Sequence, residues 1–252
     1  MAEGQLVTMV PLGIVNRIEA LKEELAAMAS PEKAQVASRF FKTGEGQYGA
    51  GDRFIGVTMP EQRRVAKKFY GLTSRELEKL LHEPVHECRM TALIILVQQF
   101  GKGSKGQQEE IYGLYLRNTE HINNWDLVDA SAEFIVGPWL EDKSEKMQVL
   151  RKLAKSQSLW ERRIAMLSTF AYIKKGEPKA ALQVAQWLLR DEQDLIHKAV
   201  GWMLREIGKR CSAAAEEEFL RKYYKQMPRT MLRYALEHFP EEKRKSYMRG
   251  EM

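Results

Sequence analysis

The residue best suited to chemistry is Asp129, at the end of the run Trp-Asp-Leu-Val-Asp at 125–129. The apolar pattern around it predicts a helix, in which residues four positions apart share a face, so Asp129 and Trp125 lie side by side. A carboxylate inside an apolar helix costs free energy unless it is hydrogen-bonded or used. Asp129 is therefore either a catalytic carboxylate or the salt-bridge partner of a nearby arginine such as Arg163.

Two later runs place indoles beside basic residues at similar intervals. They are Trp-Glu-Arg-Arg at 160–163 and Lys-Ala-Val-Gly-Trp at 198–202. Arg162, Arg163 and Lys198 are candidates for phosphate contact, since a guanidinium binds phosphate with two parallel donors. The alternatives are a solvated helix face for the cations and a core position for each indole. Together with Asp129, these runs predict a basic helical surface that is suited to a reaction on nucleic acid.

Charge and composition are consistent with a polyanionic partner. The chain has 252 residues, a net charge of +6 and a pI near 9.2. From Ile196 onward, 13 Lys and Arg oppose 8 Asp and Glu, so most of the excess lies at one end. Cys88 and Cys211 are far apart, which favours reduced thiols in a cytoplasmic protein. The sequence shows neither a convincing signal peptide nor the roughly 20 apolar residues of a membrane span.

Apolar residues recur at three- and four-residue spacing through most of the chain, which predicts an all-α protein. No alternating apolar and polar run competes as a sheet. The predicted helices are 14–29, 33–42, 61–70, 87–100, 107–117, 125–140, 145–155, 160–173, 178–189, 195–208, 215–226 and 230–239.

A longer regularity groups these helices into repeats. Aligned segments place small or polar residues at 92, 129, 165, 199 and 235, at intervals of 37, 36, 34 and 36 residues. Two helices and their turns occupy about that length in HEAT-like repeats, which stack into a curved α-solenoid of antiparallel helix pairs. We therefore predict an N-terminal tail at 1–12 and a single repeat domain at 13–252. Asp129, Arg163 and Lys198 would then face one groove.

The segment 43–54 interrupts the helical pattern with four glycines in twelve residues. It lacks the Gly-Lys-Ser/Thr ending of a phosphate loop and follows no predicted strand, which argues against nucleotide binding. A flexible connector is favoured over a DNA-contacting loop. No metal site is predicted, because Pro84 separates His82 from His86 and prevents a shared helix.

These motifs, in this order and spacing, resemble the HEAT-like-repeat DNA glycosylases of the AlkD type, which repair alkylated DNA in bacteria. The resemblance runs from about Pro31 to Phe239. It implies that Asp129 is the catalytic carboxylate, that Trp125 and Trp202 contact the backbone and sugar of the lesion, and that Arg163 lies beside Asp129. The chain departs from the active member in two ways: Phe40 aligns with a tyrosine, and the glycine-rich segment that follows is longer.

The resemblance implies base excision repair of double-stranded DNA by a monomeric enzyme without cofactor or metal. The substrates would be cationic N-alkylated purines such as 3-methyladenine and 7-methylguanine. No lysine stands out as a Schiff-base nucleophile, so a monofunctional glycosylase is expected. The alternative is a non-catalytic HEAT-repeat scaffold that binds damaged or branched DNA, or a protein. A glycosylase needs Asp129 exposed in a basic groove, whereas a scaffold would bury it in a salt bridge beside an apolar groove.

Overall fold

The computed structural model describes residues 17–252, whose regular secondary structure is helical and includes no β-strand beyond one isolated bridge, Arg53 to Val85. The predicted tail at 1–12 lies outside the described residues. The α-helices are α1 (Arg17–Ala26), α2 (Pro31–Phe40), α3 (Met59–Lys68), α4 (Ser74–Leu81), α5 (His86–Lys102), α6 (Lys105–Arg117), α7 (Trp125–Asp129), α8 (Ala132–Leu140), α9 (Lys146–Ala154), α10 (Leu159–Ser168), α11 (Phe170–Ile173), α12 (Lys179–Trp187), α13 (Asp194–Arg210), α14 (Ala213–Tyr223), α15 (Arg229–Ala235) and α16 (Glu241–Arg249).

Successive helices pack against one another in the manner of a repeat array, which confirms the predicted all-α fold class. Helix α10 lies against α7, α9 and α13, and α13 in turn packs on α14 and α15. Four of the five aligned repeat positions are fully buried alanines, at 92, 165, 199 and 235. All four alanines belong to the one hydrophobic core of the described residues, so the repeat spacing marks helices that share this core.

Two glycines allow neighbouring helices to approach closely. A Cβ at Gly137 would collide with the Ser168 carbonyl oxygen, and one at Gly201 would collide with the Met231 carbonyl oxygen. Gly201 therefore fixes the contact of α13 with α15, one residue before Trp202.

Two predicted helices are each broken into two. The stretch 125–140 divides at Ser131, whose hydroxyl donates to the Leu127 carbonyl at 2.5 Å. The stretch 160–173 divides at Thr169, whose hydroxyl donates to the Met166 carbonyl at 2.6 Å. Hydroxyl side chains that bond to the preceding turn compete with the helical ladder. The first break leaves Asp129 at the C-terminal end of a helix of only five residues.

Helices α4 and α16 were absent from the predicted set. Helix α4 has a clear starting signal, because Thr73 and Glu76 form a capping box. Its eight residues are too few for the periodicity to stand out. Within residues 17–252, no helix is long and apolar enough to cross a membrane.

Candidate active site

A cavity of about 680 Å³ opens where the aligned repeat helices meet, within the size range of ligand sites. As the repeat alignment predicts, it brings together Asp129, Arg163 and Lys198. It is lined by Phe40, Lys42, Tyr48, Trp125, Asp129, Leu159, Arg163, Gln193, Asp194, Leu195, Lys198, Trp202, Arg205 and Tyr234. Four of these residues are cationic and two are acidic, so the cavity is charged and carries a basic excess.

Asp129 is held by a bidentate ion pair with Arg163. Arg163 Nε donates to Asp129 Oδ1 at 2.8 Å, and Arg163 Nη2 donates to Oδ2 at 2.7 Å. The Asp129 side chain is 19% exposed and the Arg163 side chain only 6%. Burial raises the pKa of Asp129 above its ordinary value, and the Arg163 guanidinium opposes that rise. The carboxylate is thus fixed in orientation by a buried cation and still reaches the cavity.

The Arg163 guanidinium bonds to other residues of the protein, whereas the sequence also makes it a candidate for phosphate contact. Its remaining terminal nitrogen, Nη1, donates to the Leu195 carbonyl oxygen at 2.6 Å. Since three of its nitrogens are engaged within the protein, the guanidinium orients Asp129 and links α10 to the start of α13. Contact with DNA phosphate would require it to leave these bonds.

A buried polar network positions the short helix α7. The Asn124 side chain accepts from the Trp125 amide and donates to Asp52 Oδ2 at 3.0 Å. His86 lies between two carboxylates, with Nδ1 3.1 Å from Asp52 and Nε2 2.8 Å from Asp126. Burial by itself lowers the pKa of His86. The hydrogen bonds to Asp126 and Asp52 have the larger combined effect, so the pKa of His86 lies above its ordinary value. These bonds orient the helix that carries Trp125 and Asp129.

Two phenylalanine rings pack against the Trp125 indole. Phe41 stacks on the Trp125 indole with ring centroids 5.2 Å apart, and Phe40 meets the same indole edge-on at 5.8 Å. Phe40 is 63% exposed at the end of α2 and lines the cavity. A large apolar side chain left this exposed beside a basic cavity is available to contact a bound molecule.

Helix α13 belongs to the repeat after the one that carries Arg163, and it contributes Lys198 and Trp202 to the cavity. Trp202 lines the cavity and packs edge-on against Phe170 with centroids 5.6 Å apart. Lys198 is one turn earlier, its side chain 39% exposed and its Nζ 2.7 Å from Asp194. This exposed pair leaves the Lys198 ammonium accessible to an anion in the cavity.

Two residues of the sequence motifs lie outside the cavity lining. Arg162 points away from it, with Nε 2.6 Å from Asp191 and Nη1 donating to the Ser156 and Gln157 carbonyls. These contacts give Arg162 a structural role at the start of α10, and its contact with DNA stays a prediction. Trp160 does not line the cavity either; its indole lies beside Tyr48, with ring centroids 6.2 Å apart.

The glycine-rich segment 43–54 reaches the cavity, although a flexible connector was the favoured interpretation. Its Tyr48 ring is part of the lining. Its Asp52 side chain is only 4% exposed and accepts from Arg89 Nη2 at 2.5 Å, in addition to the contacts with His86 and Asn124. Neither Tyr48 nor Asp52 lies in a periodic run. The one sequence signal for a role in the site is that an aromatic and an acidic residue occur among the glycines.

Two other residues, Arg205 and Tyr234, line the cavity without belonging to the sequence motifs. Arg205 comes from α13 and pairs with Glu237, and Tyr234 comes from α15. Arg205 is seven residues after Lys198, which places both on one face of the helix. The heptad spacing from Lys198 was therefore a usable signal.

Comparison with known proteins agrees with this architecture. A family model described as DNA alkylation repair enzyme matches residues 21–239. Among solved structures, a predicted DNA alkylation repair enzyme from Enterococcus faecalis superposes with a TM-score of 0.66 at 18% identity, covering 85% of this chain and 98% of that one. AlkD2 from Streptococcus mutans superposes with a TM-score of 0.54 at 17% identity, covering 89% and 98%. At these identities the structures show the shared fold. A comparison with curated proteins gives no match.

Proposed function

The chain belongs to the DNA alkylation repair enzyme family, and on that premise we propose that it is a monofunctional DNA glycosylase acting on cationic N-alkylated purines. The observation that carries the proposal is the Asp129 carboxylate, held by Arg163 at a basic cavity that Trp125 and Trp202 also line. A negative charge fixed in a cavity that two indoles also line suits a reaction in which positive charge develops on the substrate.

Excision of 3-methyladenine or 7-methylguanine generates such a charge. The alkylated base is already cationic, so it leaves with the electron pair of the N-glycosidic bond and needs no protonation. Positive charge then develops on the deoxyribose, as in other oxocarbenium-like glycoside cleavages. Water adds to the anomeric carbon and releases one proton to solvent, and the products are the free base and an abasic site.

Each cavity residue has a role in this proposal. Asp129 stabilises the sugar cation and orients the attacking water, while the faces of Trp125 and Trp202 attract the cationic base and sugar. Lys198 binds a backbone phosphate, and Phe40 contacts the strand at the mouth of the cavity. Arg163 acts through Asp129 by fixing the carboxylate. The protein acts as a monomer on double-stranded DNA in this scheme, without a lysine nucleophile and hence without cutting the strand.

One observation favours the alternative of a non-catalytic DNA-binding scaffold. The Asp129–Arg163 ion pair is the contact expected if the carboxylate only joins two repeats. Two features weigh against it: the cavity is charged, and Asp129 is accessible from it. A carboxylate needed only for packing has no reason to line an open basic cavity beside two indoles.

A base-release assay separates the two functions. The protein is incubated in excess over a duplex that carries one 7-methylguanine, and free base is quantified over a single turnover. We expect release by the wild type, with strand breaks only after heating in alkali. Asp129→Asn should lower the rate about a hundredfold, the typical contribution of one preorganised electrostatic group. A wild type that binds the duplex and releases no base would support the scaffold.

A further inference from the structure

The helix that carries Asp129 is too short to hold its own direction. Helix α7 has five residues, well below the roughly 12 at which an isolated helix becomes marginally stable in water. Helix α8 follows it after the break at Ser131 and packs against α6, α10 and α11. An unbroken helix would continue the axis of α8 into α7. The break therefore frees α7 from that axis, and other contacts must hold it.

The Ser131 hydroxyl replaces a hydrogen bond that the backbone lacks at this break. In a continuous helix the Ser131 amide would donate to the Leu127 carbonyl, but here it donates to the Val128 carbonyl at 3.1 Å. The Ser131 hydroxyl donates to the Leu127 carbonyl instead, at 2.5 Å. Although Ser131 is the N-cap of α8, its side chain accepts no hydrogen bond from that helix. The hydroxyl thus serves the end of α7 rather than the start of α8.

Tyr115, on α6, fixes the orientation of this hydroxyl. Its Oη lies 2.9 Å from Ser131 Oγ, and both side chains are fully buried. A serine hydroxyl has one proton, and the Leu127 carbonyl oxygen is an acceptor only, so that proton lies between Ser131 and Leu127. Tyr115 must therefore donate to Ser131. Burial raises the pKa of Tyr115 well above its ordinary value, so the donor keeps its proton.

The position of α7 matters because the partner of Asp129 is fixed independently. Arg163 Nη1 donates to the Leu195 carbonyl, which holds the guanidinium against the start of α13. Asp129 forms both of its bonds to this guanidinium only when α7 ends at the right place. We propose that Tyr115 and Ser131 are positioning residues, whose hydrogen bond fixes the end of α7 and so places the Asp129 carboxylate at the cavity. This inference rests on the proposed glycosylase function.

The chain offers a matched control for each of the two residues. Tyr172 is buried like Tyr115, and its hydroxyl donates to a backbone carbonyl at 2.9 Å. Ser168 is buried like Ser131, and its hydroxyl donates to the carbonyl four residues earlier at 2.5 Å. Neither control residue lines the cavity. Tyr172→Phe and Ser168→Ala therefore remove buried hydroxyl bonds of the same kind elsewhere in the fold.

Single-turnover release of 7-methylguanine reports the placement of Asp129, and anisotropy on a duplex with uncleavable 7-deaza-7-methylguanine reports affinity. Tyr115→Phe and Ser131→Ala should each lower the rate about tenfold at unchanged affinity, since a misplacement of about 1 Å costs up to a hundredfold. Both controls should keep the wild-type rate. The double variant should be no slower than Ser131→Ala, because both changes remove one link. Equal rate losses in variants and controls would overturn the proposal.

Fluorine NMR of protein labelled with 5-fluorotryptophan follows α7 without any reaction, because Trp125 is the first residue of that helix. Trp125→Phe assigns the resonance. We expect it to shift in Tyr115→Phe and Ser131→Ala and to stay in place in both controls. A lowered rate with an unmoved resonance would also overturn the proposal.

The resonance keeps this test separate from the test of catalysis. If the wild type releases no base but the Trp125 resonance shifts as expected, the glycosylase function fails and the positioning of α7 stands. If the wild type releases 7-methylguanine and Tyr115→Phe and Ser131→Ala release it equally fast, the glycosylase function stands and the positioning role fails.

Discussion

His86 Nε2 lies 2.8 Å from Asp126 Oδ2, and this contact ties the first residue of α5 to the five-residue helix that ends at Asp129. His86 Nδ1 meets a second carboxylate, that of Asp52. An ionised carboxylate only accepts hydrogen bonds, so both ring nitrogens must carry protons. The geometry is therefore that of a buried imidazolium, which joins the glycine-rich segment to the helix of the candidate catalytic residue.

His86→Gln should destabilise the protein in a pH-dependent manner. Glutamine can donate to one carboxylate only and leaves the other buried without its partner, at a cost of about 3 kcal/mol. The carboxylates raise the pKa of His86, so its stabilising contribution is fully present below the unfolded value of about 6.5 and is lost as pH rises through the raised pKa. Urea unfolding should show a larger difference from the wild type at pH 6 than at pH 9.

The matched control for this variant is His121→Gln. His121 is partly exposed and its ion-pair partner, Glu120, is 80% exposed, so the loss should stay below about 0.5 kcal/mol. A difference between wild type and His86→Gln that is constant from pH 6 to pH 9 would argue against the imidazolium.

DNA affinity should depend on salt, with Lys198 contributing one phosphate contact. Lys198 is accessible in the cavity, whereas the guanidinium of Arg163 already donates its hydrogen bonds to Asp129 and to the Leu195 carbonyl. Lys198→Ala should therefore reduce the slope of log affinity against log salt by about one, the contribution of one neutralised phosphate. Fluorescence anisotropy on one duplex between 50 and 200 mM salt measures this, in the concentration range where such slopes are resolved.

Lys152→Ala is the corresponding control, because Lys152 lies on α9 beside Trp187, outside the cavity. Its slope should match that of the wild type. Equal slopes for Lys198→Ala and the wild type would remove Lys198 from the DNA-binding surface.

Repeat spacing predicted the part of the site that lies on regular helices. The intervals between positions 129, 165 and 199 placed Asp129, Arg163 and Lys198 on neighbouring helices, and the structure brings them to one cavity. The same spacing could not distinguish Arg162 from Arg163. Adjacent residues on a helix are turned about 100° apart, so one guanidinium faces Asp129 while the other faces Asp191.

The remainder of the site depends on contacts that leave no periodic pattern. Asp52 and His86 are 34 residues apart, and a loop places one beside the other. Tyr48 reaches the cavity because glycines at 46 and 51 adopt left-handed backbone conformations. A sequence shows that such a segment can turn sharply, but the direction of the turn follows from the tertiary contacts that anchor it.

Glu216 should make the protein less stable as pH rises. Its side chain is fully buried on α14, its carboxylate is 3.2 Å from His238 Nε2, and burial raises its pKa to about 8. Between the unfolded value near 4.5 and pH 8 the folded state holds the extra proton, so stability falls through this window and is level above it. Glu216→Gln should remove the fall and stabilise the protein at pH 9 by an amount on the order of 5 kcal/mol.

Thermal or urea unfolding at pH 5, 7 and 9 tests this, with Glu218→Gln as the control on the exposed face of the same helix. The control should follow the wild-type profile. If Glu216→Gln is as sensitive to pH as the wild type, Glu216 is not the group that holds the proton.

The Asp129–Arg163 pair can be separated into its structural and catalytic parts by a double variant. Asp129→Asn leaves a buried guanidinium without its charge partner, and Arg163→Met leaves the carboxylate without the cation that fixes it. Either single change should cost about 3 kcal/mol of stability, because one buried charge remains unpaired. Combining them removes both charges, and replacement of a buried ion pair by neutral groups is often close to neutral in stability. The double variant should therefore regain most of the lost melting temperature.

Excision should not follow this recovery if Asp129 stabilises the sugar cation. The single-turnover rate of the double variant should stay about a hundredfold or more below the wild type, since no carboxylate remains in the cavity. Its affinity for the methylated duplex should be equal or slightly tighter, because a negative charge facing phosphate has been removed. The experiment thus compares three quantities on the same protein: melting temperature, affinity and rate. Recovery of both melting temperature and rate, with unchanged affinity, would assign the pair a structural role only, whereas recovered stability with a persistent loss of rate identifies Asp129 as the catalytic carboxylate.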